Sequence, residues 1–241
     1  MAQVCVIFGA GEYYAGTPVV PTGAYVIAAD GGLDHTRELG IVPDVVVGDF
    51  DSLEGRAPRT DVRTIALPAL KDDPDMLSAL KVGWSAGCRE FHVYGGLGGR
   101  IDHTISGIQL MALLARHGAS GYLYGDGLIV TAITDGRLSF PAHPVPEDGR
   151  MVSAFSHSDV SLGVNEPGLK YELKDSTLTN TVVQGVSNEF RDGVDAAISV
   201  KRGTLIVIFP IEVALPQVSR FHEFGGDIGE LDTEVSKLLV R

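Results

Sequence analysis

Basic residues are scarce in this chain. Only 19 Lys plus Arg stand against 31 Asp plus Glu in 241 residues, a formal charge of −12. Affinity for a nucleic-acid backbone comes from clustered cations, so a nucleic-acid partner is disfavoured. Any phosphate-bearing ligand of so acidic a protein needs metal ions to bridge it to the chain. Cysteine is scarcer still: Cys5 and Cys88 are the only two, without CxxC spacing. That argues against a disulfide framework and against cysteine-ligated zinc. No apolar run approaches the roughly 18 residues of a membrane span. The N-terminal MAQVCVIFGAGEYY enters a strand-like stretch at once. These absences point to a soluble cytoplasmic protein with no membrane partner. Repeats at a period of about 20–50 residues are also missing, which excludes solenoids and propellers.

What is present is an alternation. Strand-like runs at Val4–Phe8, Tyr25–Ala29, Val45–Gly48, Val62–Leu67, Phe91–Tyr94, Tyr122–Tyr124 and Leu128–Ile133 are interspersed with helical patterns at Leu33–Leu39, Asp75–Ala86 and Thr104–Arg116. Near-continuous apolar strands separated by helices predict an α/β fold with a mostly parallel sheet covered on both faces. Beyond Arg137 the texture changes. SFPAHPVPEDGR reads as a linker, and Met151–Phe155, Leu169–Leu173, Ala196–Val200 and Thr204–Phe209 read as short strands of an all-β sandwich. The expected organisation is an N-terminal α/β catalytic domain (1–137), a linker (138–150), a smaller C-terminal β-sandwich domain (151–215) and a tail (216–241). Helical spacing of Leu231, Val235, Leu238 and Leu239 suggests a helix in that tail.

The chemistry lies in the acids. Asp30, Asp49, Asp51, Asp72, Asp75 and Asp102 each follow an apolar strand or open the helix after one. A lone Asp there is an ordinary cap or turn former, but six on one expected sheet edge point to a metal or phosphate site. In DVVVGDFDSL the spacing of two turns Asp49 and Asp51 to the same side of an extended chain. Two carboxylates aimed together repel, and a hard cation such as Mg²⁺ relieves the repulsion. After Asp30, Gly31 and Gly32 allow a tight turn and a close ligand approach. In LKDDPDMLSALKVGW, Asp73 is the expected N-cap, Pro74 the first helical residue and Asp75 a first-turn acid. Trp84 shares the core face with Leu77 and Leu80. In GGLGGRIDH a glycine-rich turn meets a helix start, a natural anion seat, and Arg100 can fork onto phosphate oxygens. No GK[ST] follows, so this is not a Walker loop, and Gly9-Ala10-Gly11 lacks the third glycine of a dinucleotide fingerprint. His103 reads equally as a general base or as a capping histidine.

ADGGLDHTRELGIVPDVVVGDFDSL, KDDPD and GGLGGRIDH, then GVNEPGLKYEL, GVSNEF and TLIVIF, in this order, resemble the thiamine pyrophosphokinase family over about residues 4–210. The resemblance implies an α/β domain followed by a β-sandwich. It also implies a homodimer with active sites between one subunit's α/β domain and the other's sandwich. The implied reaction moves a pyrophosphoryl group from ATP to the hydroxyl of thiamine, leaving AMP, with Mg²⁺. By matching motifs, Asp49, Asp51 and Asp75 are the metal acids. Asp51, Asp75, Arg100 and Asp102 serve catalysis, with Asp102 or Asp75 as proton acceptor. Asp30, Gly31, Lys71, Asp72, Arg100 and His103 surround the nucleotide. Asp102, Ser187 and Asn188 border thiamine.

Three departures stand out. Pro74 occupies the usual Thr position of KDxTD, Gly107 replaces an Asn, and the expected sandwich has no Trp to stack on thiamine, leaving Tyr171, Phe190 or no residue at all for that task. Three other readings remain: pyrophosphate transfer to another alcohol such as a hydroxymethylpterin, a hydrolase with an aspartyl nucleophile in GDFD, and a non-catalytic thiamine- or nucleotide-binding protein.

Overall fold

The computed structural model describes residues 3–14, 16, 18–49, 61–68, 71–146 and 150–235. Contacts divide the chain into two compact units, residues 1–107 with 227–241, and residues 108–226.

The first unit is built on β1 (Gln3–Phe8), β2 (Tyr25–Ala29), β3 (Val45–Gly48), β4 (Arg63–Ala66) and β5 (Cys88–Tyr94), in the order β5-β1-β2-β3-β4. Every pairing among them is parallel. The sequence dictates this. Cys5–Phe8 and Val45–Val47 are almost completely buried, as strands covered on both faces must be. Helices α1 (Gly32–Glu38) and α2 (Asp75–Ser85) cover the sheet, α2 packing against β1, β2, β3 and β5. Trp84 is buried as expected, with the Arg89 guanidinium 3.8 Å above its ring. Helix α3 (Ile101–Arg116) follows β5 and its glycine loop.

The second unit is antiparallel. It comprises β6 (Ser120–Tyr124), β7 (Leu128–Phe140), β8 (Met151–Ser156), β9 (Val160–Val164), β10 (Ser176–Thr179), β11 (Asn188–Glu189), β12 (Ala196–Pro210) and β13 (Gln217–Arg220). The long β12 pairs with β7, β8 and β9. The two expected runs 196–200 and 204–209 are the halves of this one strand. They are separated by a bulge at Lys201–Gly203, where Asp135 Oδ1 accepts from Gly203 N at 2.7 Å. Phe140 anchors the core, edge-on to Phe190 at 5.1 Å and to Phe209 at 5.3 Å. Such edge-to-face contacts add to what area burial contributes.

Some expectations are corrected. Leu169–Leu173 is not a strand; Leu169 makes only an isolated bridge to Phe190, in a loop that follows Pro167-Gly168. Strand β7 runs through position 137, where the sequence texture changes. In the tail, Gln217–Arg220 forms a strand because its alternation of exposed and half-buried residues fits the free edge of β7. Residues 230–235 carry no helix, and the rest of the expected terminal helix lies outside the described residues. No helix among the described residues is long and apolar enough to cross a membrane.

Candidate active site

Because β2, β3, β4 and β5 run parallel, the segments that leave their carboxyl ends emerge from one edge of the sheet. Asp30 follows β2, Asp49 follows β3, Lys71–Asp75 follow β4, and Arg100–His103 follow β5. Ligands of open α/β sheets gather at this edge. Asp30 itself makes the turn: its φ is 47°, while Gly31 has φ −59°. The sequence pattern assigns that turn to the glycines, but Asp tolerates the left-handed region unusually well. The Asp30 amide donates to Val47 O at 2.8 Å, which ties the end of β2 to that of β3 just before Asp49. Asp51 lies outside the described residues.

Lys71 and Asp75 come together. Lys71 Nζ stands 2.8 Å from Asp75 Oδ1, with the lysine side chain only 6% exposed. The contact is an ion pair without hydrogen-bond alignment, since the same oxygen is shielded and has no aligned donor. Asp73 departs from its expected role. The helix cap is Pro74, without a side-chain cap bond, and the Asp73 carboxylate pairs with Lys81 instead. Proline there leaves the first orphan N–H to Asp75, and Ser78 N donates to Pro74 O at 3.1 Å.

The glycine loop is held from below. Gly9 N donates to Tyr94 O at 2.8 Å and Gly11 N to Gly95 O at 2.9 Å. A Cβ on Gly11 would lie 2.5 Å from Gly95 O, so the second glycine of Gly-Ala-Gly lets two backbone segments pack closely. Tyr13 donates to Gly9 O at 3.1 Å and stacks on His35 with ring centroids 3.9 Å apart. Sequence reasoning missed this support, although the adjacent tyrosines of GEYY signal it. Above it, Arg100 grips Asp102 with its fork, Nε at 3.2 Å and Nη2 at 2.6 Å. This bond holds the Asp102 carboxyl below the usual carboxylate range. Asp102 also accepts from His103 N at 3.1 Å, so the acid meets a first-turn N–H of the helix and His103 contributes its backbone.

The acids of this edge offer carboxylate oxygens, the ligand type that suits Mg²⁺, beside the cations Lys71 and Arg100. Among the described residues no three His, Cys, Asp or Glu groups stand together closely enough to hold a metal. The expected trio Asp49, Asp51 and Asp75 is only partly within those residues.

In the second unit, Ser187 and Asn188 line a cavity of about 550 Å³, together with Glu166, Tyr171, Leu178 and Gln184. Ser187 is left-handed, φ 57°, and its amide donates to Ser153 Oγ at 3.1 Å. Asn188 is buried and saturated. Its Nδ2 donates to Glu166 Oε2 at 2.9 Å and to Tyr171 O at 2.8 Å, and its Oδ1 accepts from Tyr171 N at 3.0 Å and Glu189 N at 2.9 Å. Asn188 therefore shapes the wall and has no hydrogen bond left for a ligand. Its replacement by alanine is expected to cost about 3 kcal/mol, because Glu166 Oε2 is left buried without its donor and the part-buried backbone groups of Tyr171 and Glu189 lose a partner. A lowered urea midpoint checks this. Phe190 belongs to the core, whereas Tyr171 is 59% exposed and on the cavity wall. Of the two expected stacking aromatics, only Tyr171 is placed to meet a ligand. Glu166, buried beneath the same wall, was not foreseen; Asn-Glu-Pro in sequence looks like an ordinary turn.

Mixed α/β, sheet-dominated architecture of this kind is shared with solved thiamin pyrophosphokinases. The enzyme from Bacillus subtilis aligns with a TM-score of 0.75 at 21% identity, covering 88% of this chain and 100% of its own. That from Geobacillus thermodenitrificans gives 0.73 at 20%, with 88% and 100% covered. The Candida albicans enzyme gives 0.67 at 13%, with 87% and 89% covered. Residues 19–123 match the family model of the thiamin pyrophosphokinase catalytic domain, which bears out the resemblance read from the motifs. No curated protein matches the sequence.

Proposed function

We propose that this chain is a thiamine pyrophosphokinase, transferring pyrophosphate from ATP to the hydroxyl of thiamine with release of AMP. One observation carries the reading. Acid- and base-bearing segments distant in sequence, at Asp30, Asp49, Lys71–Asp75 and Arg100–Asp102, all leave the same carboxyl edge of one parallel sheet. The catalytic-domain match over residues 19–123 and the fold shared with thiamin pyrophosphokinases support it.

In this reading Asp49, Asp51 and Asp75 would hold Mg²⁺, which supplies charge neutralisation and polarisation of the β-phosphorus. The protein's own groups do the positioning on which phosphoryl-type transfer depends. Asp30, Gly31, Asp72 and Lys71 flank the nucleotide. Arg100 turns its fork from Asp102 to the phosphate oxygens. That release removes the pairing that keeps Asp102 a weak base, and Asp102 takes the hydroxyl proton as the thiamine oxygen bonds to phosphorus and AMP leaves with the bond electrons. Thiamine sits in the cavity of Ser187 and Asn188, with Tyr171 against its ring. The functional unit in this reading is a cytoplasmic homodimer, an α/β domain of one subunit facing the sandwich domain of the other.

Incubation with Mg-ATP and thiamine should yield AMP and thiamine pyrophosphate in equal amounts. AMP formed only with a hydroxymethylpterin would replace thiamine as acceptor. Phosphate release without any acceptor would indicate a hydrolase, and tight thiamine binding without AMP a non-catalytic protein.

A further inference from the structure

The cavity wall of the second unit contains a carboxyl group that the fold leaves half satisfied. Glu166 is 1% exposed and lines the cavity. Its Oε2 accepts from Asn188 Nδ2 at 2.9 Å, while its Oε1 is shielded from solvent and has no hydrogen-bond partner among the described residues. Buried polar atoms in folded proteins are nearly always paired, so an orphaned one calls for a cause. Removal from water also pushes the Glu166 carboxyl up from its usual range. The neighbouring wall atoms do not relieve it. Asn188 is saturated by its own bonds, and the Lys170 ammonium is engaged by Glu189 at 2.6 Å. A donor brought by a ligand is therefore what the site lacks.

We propose that Glu166 is the specificity-determining residue of this cavity, accepting through Oε1 a hydrogen bond from an N–H-bearing heteroaromatic ring. The inference rests on the thiamine reading above and deepens it: the group recognised is the exocyclic amine of the aminopyrimidine. The reason is one of matching polarity. An amine satisfies the orphaned oxygen, whereas a ring carrying oxygen in place of the amine sets acceptor against carboxylate. Sites built to bond a particular donor reject analogues that lack it far more strongly than apolar pockets reject a missing methylene.

Calorimetry with thiamine, and with the analogue whose amino group is replaced by oxygen, tests this on the full chain. The wild type is expected to prefer thiamine at least ~10-fold, in line with leaving a buried polar group unpaired. Glu166→Gln keeps an oxygen for Asn188 but turns the free position into a donor. It should erase the preference and raise KM for thiamine, with KM for ATP unchanged. A Glu166→Gln protein that discriminates like the wild type overturns the proposal and leaves the pyrophosphokinase reading intact. Equal affinity of the wild type for the two compounds overturns it even if the variant does not fold. Failure of the wild type to bind thiamine at all overturns both readings.

Discussion

Asp75→Asn is expected to slow AMP release at least ~100-fold, the scale of losing a main electrostatic stabiliser. The substitution keeps the side chain's shape but removes the charge that faces Lys71 Nζ at 2.8 Å. It also removes a proposed ligand of the bridging cation. Stability should fall less steeply. Asp75 is 32% exposed, so water partly compensates Lys71 when its partner is neutralised. A loss confined to kcat, with the melting temperature lowered by only a few degrees, is the expected pattern. Single-turnover AMP release by Asp75→Asn within fivefold of the wild type would remove this acid from the mechanism.

Gly32→Ala is expected to be the most destabilising single-methyl change in the first unit. A Cβ at this position would lie 1.9 Å from Phe8 O and 2.5 Å from Phe8 C. Both are backbone atoms of β1, whose Phe8 pairs with Ala28 on one side and Tyr94 on the other. No flexible side chain can give way, so either α1 lifts from the sheet or β1 distorts. Overpacking of a rigid site costs about 3 kcal/mol, equivalent to roughly 6–12 °C in a chain of this size. The thermal transition of Gly32→Ala measures it. Thiamine turnover should fall too, since Asp30 is two residues away and its left-handed turn depends on where α1 begins. A melting temperature within about 2 °C of the wild type would show that the helix start shifts freely.

The two effects differ in how far the sequence revealed them. Asp75 stood out in sequence because the acids of KDDPD sit where a helix begins, and because the motif resembles a known family. Gly32 was legible only as a glycine permitting a turn. In the structure the turn belongs to Asp30, and Gly32 is required by the contact with Phe8. That contact joins residues 24 positions apart, and no local pattern encodes it. Pro74 shows a related limit. Its fixed φ marks the helix start in sequence, but whether Asp73 caps the helix or pairs with Lys81 depends on a lysine two turns further along.

The second unit was harder to read for the same reason. Strands β9, β10, β11 and β13 are short, and pairing rather than propensity holds them; β11 has only two residues. The loop 165–175 carries LKYEL, an alternation that mimics a strand. Tyr171 bonds to Asn188 and Lys170 N to Glu189 O, and among the described residues no ladder forms along it apart from isolated bridges.

Local physics settled which segments are strands and helices in the first unit, since buried parallel strands must be apolar throughout and helix starts need acids, proline or glycine. It also settled the acidic charge balance, a formal −12. Only the tertiary structure decided that Asp75 meets Lys71, that Arg100 grips Asp102, and that Asn188 spends all its hydrogen bonds within the protein while one oxygen of Glu166 has no partner among the described residues. Those outcomes depend on distances between groups far apart along the chain, set by how sheets and loops pack, and no pattern of neighbouring residues contains them.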